Sequence, residues 1–137
     1  MDWLAFDSIN WWGVLLATLS TFAVGFVWYA ESLFGKEWMG LVGITEMEMG
    51  DPNPLTYVFT MVGSLIAATG LALLMAATGT EGWGAGLVFG LVVGLVFRVT
   101  SHVMHNGFAM KPGRLTMIDG LHDVVQTGVM GLIIGLF

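Results

Sequence analysis

Four long apolar runs dominate the sequence and leave few folds open to it. They cover about Ile9 to Ala30, Leu55 to Thr78, Trp83 to His105 and Thr116 to Phe137. Each is about 20 residues or more, enough for an α-helix to cross a hydrocarbon core of roughly 30 Å. Between them the chain has too few polar side chains to clothe a soluble domain: 56% of its 137 residues are hydrophobic and 10% are charged, and mean hydropathy is +0.84. Backbone groups in lipid must be satisfied within the segment, so the runs are read as helices. The expected fold is an all-α integral membrane four-helix bundle forming one transmembrane domain over residues 1–137.

Punctuation in the sequence supports the same division. Ser8 is a candidate N-cap for the first span. The helix-breaking Asp51-Pro-Asn-Pro54 precedes the second, and Gly79-Thr-Glu-Gly82 separates the second from the third. The loop 106–115, Asn-Gly-Phe-Ala-Met-Lys-Pro-Gly-Arg-Leu, leads into the fourth. Residues 31–50 are too polar to span. Phe34, Trp38, Leu41 and Val42 fall on one face at helical spacing, so a short interfacial helix is expected between spans 1 and 2. Thr45 and Glu48 have the spacing of a capping box. Trp3, Trp11, Trp12 and Trp83 are expected at one membrane surface, and Trp28, Tyr29, Trp38 and Tyr57 at the other, as an aromatic belt.

Charge narrows the function. Ten acidic residues against four basic ones give a net charge of −6, so no basic patch can form for nucleic acid. Cysteine is absent, which excludes disulfides, thiolate metal sites, iron–sulfur clusters and cysteine nucleophiles. The acidic start, Met1-Asp-Trp-Leu-Ala-Phe-Asp7, has no basic region before its apolar run and does not read as a cleaved signal peptide. Lys36, Lys111 and Arg114 lie in the two loops on one side, which the positive-inside rule makes cytoplasmic; both termini are then outside a cell inner or plasma membrane.

Gly25, Trp28 and Tyr29 at the end of the first span, followed by Phe34, Gly35, Lys36 and Trp38, form a pattern that resembles the small membrane family catalogued as domain of unknown function 1761. The resemblance implies a compact four-helix membrane fold and carries no assigned activity. Read physically, Gly25 allows close helix contact, Trp28 and Tyr29 sit at headgroup depth, Gly35 permits a turn, and Lys36 reaches toward lipid phosphates.

The polar residues of the last two spans fall into two stripes. Arg98, His102 and His105 share one helix face, with spacing i, i+4, i+7; Asp119, His122, Asp123 and Gln126 share another. Running the helices antiparallel, with His105 near Met117, sets Arg98 level with Asp123 and His102 level with Asp119. Arg98 lies roughly 10 Å from the helix end at a rise of about 1.5 Å per residue, where facing lipid costs about 2 kcal/mol or more. Arg98 is therefore expected to contact Asp123, and His102 to lie near Asp119. Glu31, just beyond Tyr29, is a candidate to close the same pocket.

Several functions fit these two stripes. One is a structural clamp, in a non-catalytic accessory or scaffold protein. A second is a pocket that binds or passes a small ligand or ion, protons foremost; a full path would also need hydroxyls such as Thr18, Ser20, Thr21, Ser64 and Thr69, or water. A third is a metal site using His102, His105, His122 and Asp119. A fourth is anion or lipid-headgroup binding by Arg98, His102, His105, Lys111 and Arg114. Haem between His102 and His122 requires two helices held apart by a macrocycle. No cofactor is specified, and no nucleophile or phosphate-loop motif marks an enzyme. The bilayer is the evident partner. Gly86, Gly90 and Gly94, with Gly131 and Gly135, form small-residue ridges that serve either packing within the bundle or a homo-oligomer.

Overall fold

The computed structural model describes residues 4–137, so Trp3 of the expected belt lies outside the described residues. Among these residues every regular element is helical. Four helices are long and apolar enough to cross a membrane: α1 (Trp11–Trp28), α4 (Pro54–Ala77), α5 (Trp83–Phe108) and α6 (Gly113–Ile134). Two short helices, α2 (Gly35–Val42) and α3 (Glu46–Gly50), join α1 to α4. The chain is thus the all-α, four-helix membrane bundle that its hydropathy requires.

Local chemistry sets the helix ends. Asn10 caps α1, its Oδ1 accepting from Trp12 N at 2.9 Å and Gly13 N at 3.3 Å. Ser8, the expected cap, sits in the preceding 3-10 turn and donates to Ala5 O at 2.7 Å. A cap must lie just before the first helical residue to reach the free amides of the first turn, and that place belongs to Asn10. Thr45 and Glu48 form the capping box that opens α3. Asn53 caps α4 ahead of Pro54, whose missing N–H costs nothing at a helix start. The last helix starts at Gly113 instead of Thr116: Leu115 N donates to Pro112 O at 3.0 Å, Leu115 is buried, and Arg114 finds Glu37. Those contacts reward an extra turn that the residues Pro-Gly disguise.

Helix α6 is the spine. It packs along α5 on one side and α1 on the other. A β-carbon on Gly86 or Gly90 would strike the backbone of Gly131 or Thr127, and one on Gly94 would lie 2.8 Å from Val124 Cα. The ridges of α5 and α6 are therefore consumed by packing on each other within the chain. Towards the chain termini, Val14, Ala17, Ala68, Leu71, Ala72, Met75 and Met130 form the apolar core. Helix α4 leans on α1 and barely touches α5, so the ring of four helices is open on one side.

One irregularity positions the site. Residues Gly94–Val99 of α5 wind as a π-helix. A π turn takes an extra residue, so beyond Gly94 the helix turns and climbs less per residue than expected. The result is visible in the register: from Gly86 to Asn106, α5 uses more residues than α6 does from Gly131 back to Thr116.

Candidate functional site

Arg98 stands on the π segment and meets Asp123 as expected. Its Nε donates to Asp123 Oδ2 at 2.9 Å, and a terminal guanidinium nitrogen lies 2.8 Å from the same oxygen. Asp123 is only 8% exposed. His102 does not lie on Asp119: its Nε2 is 3.0 Å from Asp123 Oδ2. Asp119 is already taken by Tyr29 and Trp38, and the His102 ring, a turn from Arg98, reaches the oxygen that Arg98 uses. His122 Nδ1 is 3.0 Å from the other oxygen, Asp123 Oδ1. One buried carboxylate thus gathers an arginine and two histidines.

Asp119, four residues towards the loop, has different partners. Tyr29 OH donates to its Oδ1 at 2.8 Å and Trp38 Nε1 donates to the same oxygen at 2.9 Å. Trp28 Nε1 donates to Ile118 O at 3.1 Å. The polar atoms of these three aromatics are therefore turned onto α6, while the side chains stay partly exposed. An indole or phenol near an intramembrane carboxylate gains more from that bond than from the interface. Trp11, Trp12, Trp83 and Tyr57 remain exposed, as an aromatic belt requires. Gly35 enables the inward turn: its N donates to Ala30 O at 2.9 Å, and a β-carbon there would collide with the Tyr29 carbonyl. Phe34 packs against Trp28 with ring centres 4.8 Å apart.

The remaining candidates lie outside this cluster. Glu31 is exposed and pairs with Lys36 at 3.3 Å instead of closing the pocket. His105 is exposed near the loop end of α5. The metal set His102, His105, His122 and Asp119 is dispersed, and among the described residues no three such side chains converge to hold an ion. A haem between His102 and His122 is incompatible with both rings meeting one carboxylate. The anion set is dispersed as well: Arg114 forms a two-bonded pair with Glu37, at 2.7 and 2.9 Å. Glu37 lies outside the spans, and that hydrogen bond holds its carboxyl below the ordinary value.

Two buried atoms in the cluster have no partner, His122 Nε2 and Gln126 Oε1. His122 is wedged against Tyr29, ring centres 5.0 Å apart, and Trp28. With Nδ1 donating to Asp123, Nε2 is a lone-pair acceptor. Gln126 is 6% exposed; its Nε2 donates to Thr21 Oγ1 at 3.1 Å and contacts Ser20 Oγ at 3.4 Å. Both residues border a cavity of about 510 Å³ between α4, α5 and α6, with Arg98, Asp123, Thr21 and Ser64 also on its wall.

The polar column is one-sided. Thr18, Ser20 and Thr69 donate to carbonyls of their own helices, at Val14, Ala17 and Leu65. Val14, Ala17 and Ala68, all fully buried, follow towards the termini. The hydroxyls named from the sequence therefore do not link up across the bilayer.

Four bilayer-length helices, with Arg98, His102 and His122 gathered on the buried Asp123, define a multi-span helical membrane protein with a polar cluster towards one end. The chain belongs to the family of proteins of unknown function DUF1761, whose family model matches residues 12–135. No curated protein and no solved structure matches it.

Proposed function

We propose that this is a non-enzymatic, small-ligand-binding protein of the cell's inner or plasma membrane, whose Asp123 cluster exchanges protons with the aqueous phase on the loop side. Both loops of that side are read as cytoplasmic. The observation that carries the reading is the pair of unpartnered buried acceptors, His122 Nε2 and Gln126 Oε1, in residues that border the cavity. A buried polar group without a partner costs about 1–3 kcal/mol, and a purely structural network would have its atoms matched. The His102–Asp123–His122 row runs from a half-exposed ring to a buried one, which is a route for protons into the cavity and not across the membrane.

The test is solid-state NMR of ¹⁵N-histidine-labelled protein in liposomes. The ring N–H protons of His102 and His122 are expected to exchange with deuterated water, and Asp123→Asn to slow that exchange in protein that still folds. Ring protons that do not exchange, or that exchange equally in the variant with only stability lost, would refute the reading. The second reading, a scaffold protein whose polar groups only clamp the bundle, is favoured by Asp119, whose two donors come from the protein itself.

A further inference from the structure

We propose that the cleft between α4 and α5 holds one uncharged, single-chain amphiphile drawn from the bilayer, with a hydroxyl-bearing head at Arg98. This rests on the reading of the same cavity as a binding site and names the chemistry of its occupant.

The route of entry follows from the packing. Helices α4 and α5 part, and the exposed side chains of Leu74 and Phe97 form the lips of the cavity. In a four-span bundle those lips face lipid, so the occupant comes from the bilayer. Much of the wall is aliphatic or aromatic, as at sites that bury an apolar ligand around a few placed polar groups. The volume, about 510 Å³, falls in the lower half of the roughly 300–1,000 Å³ typical of ligand pockets, which suits one chain better than two.

The head is set by Arg98. Its side chain, 51% exposed, keeps donors beyond those spent on Asp123 and shares the cavity wall with the hydroxyl-bearing Ser64 and Thr21. A hydroxyl-bearing head accepts from Arg98 and can donate to such neighbours. Charge excludes the alternatives: Arg98 and Asp123 already cancel, so a carboxylate or phosphate would sit beside Asp123 and an ammonium beside Arg98, each repelled in a poorly screened site.

The cleft also offers a clean way to close it. Gly63 and Gly70 line it, and a β-carbon on either meets no atom within 4 Å. Leucines there fill the cleft while leaving every polar contact intact. The experiment uses the full chain in phosphatidylcholine liposomes with a diazirine-bearing monoacylglycerol. Cross-links are expected within 60–74 of α4 and 93–97 of α5. Excess unlabelled monoacylglycerol and the Gly63→Leu/Gly70→Leu variant should each reduce them about tenfold, with the variant's melting temperature retained.

Cross-links that persist under competition, or equally in the variant, would overturn the proposal as mere lipid contact; no cross-links at all would leave a water-filled cleft and overturn it too. Stronger labelling by the matching fatty-acid anion would overturn the uncharged head. Should the variant fail to fold, the competition on wild-type protein decides. A negative result with the histidine ring protons still exchanging would sink this proposal alone and leave proton exchange standing.

Discussion

Asp123 carries the electrostatics of the bundle, because Arg98, His102 and His122 all converge on its carboxylate. Removing its charge strands a guanidinium at membrane depth. Asp123→Asn should therefore cost about 3–5 kcal/mol, the usual effect of breaking a buried pair from one side. Arg98→Met combined with Asp123→Leu should recover most of that, since removing both partners leaves no uncompensated charge. Reversible unfolding in mixed micelles measures both; a single variant as stable as wild type would show that Arg98 satisfies itself by reaching water. Asp119 makes a second, separable prediction. Tyr29→Phe and Trp38→Phe each remove one donor to the same oxygen, worth about 1.5–3 kcal/mol for a hydrogen bond to a charged group. Because both act on one atom, the double variant should fall short of the sum. The Arg98–Asp123 contact was legible in the sequence because a charge in lipid demands its opposite. The Tyr29 and Trp38 bonds were not, since an indole or phenol at a span end serves the interface and a buried acceptor equally well.

Helix α5 shows where sequence patterns stop being informative. Hydropathy located all four spans, and glycine spacing located the faces that pack. Nothing in Gly94-Leu-Val-Phe-Arg-Val99 announces a π turn, and nothing in the spacing announces that His102 joins Arg98 on Asp123 while Tyr29 and Trp38 take Asp119. The glycines themselves divide by environment. Gly90→Ala would drive a methyl into the Thr127 backbone and should destabilise by about 1–3 kcal/mol through overpacking. Gly63→Ala and Gly70→Ala meet open space and should lie within about 0.5 kcal/mol of wild type. Equal losses at all three positions, measured by the same unfolding assay, would mean that α4 packs more closely than its partial separation from α5 implies. Helix α2 is held to α6 by Trp38 on Asp119 and Glu37 on Arg114. The Glu37 carboxyl is lowered by Arg114, so its contribution is present above the ordinary carboxylate pKa and lost as pH falls through the lowered one. Glu37→Gln should mimic that loss at neutral pH and raise hydrogen exchange in α2 while leaving α6 unchanged.

Across the whole molecule, polarity is distributed unevenly. The Asp119 and Asp123 clusters, both short helices and three of the four basic residues lie towards one end of the bundle, while the other end closes on Val14, Ala17, Ala68 and Met130. A polar cavity reached from one side can exchange protons or hold a ligand, but it cannot conduct across the apolar end without a rearrangement of α4. Which side that is depends on lysine and arginine near the span ends, since acids contribute little to topology. Lys36, Lys111 and Arg114 all sit on the loop side, and their pairing with Glu31 and Glu37 in the folded state does not alter the bias acting during insertion, before those contacts exist. The chain has no cysteine, so single reporters can be read without background. Lys111→Cys moves a topology determinant, so Met110→Cys, one residue away and exposed, is the better loop reporter, and Glu81→Cys reports the opposite turn. In intact cells a membrane-impermeant maleimide should label Glu81→Cys and leave Met110→Cys unlabelled until the cells are opened. The reverse pattern would place the Asp123 cluster on the outer face, and the proton exchange proposed for it would then be with the external medium.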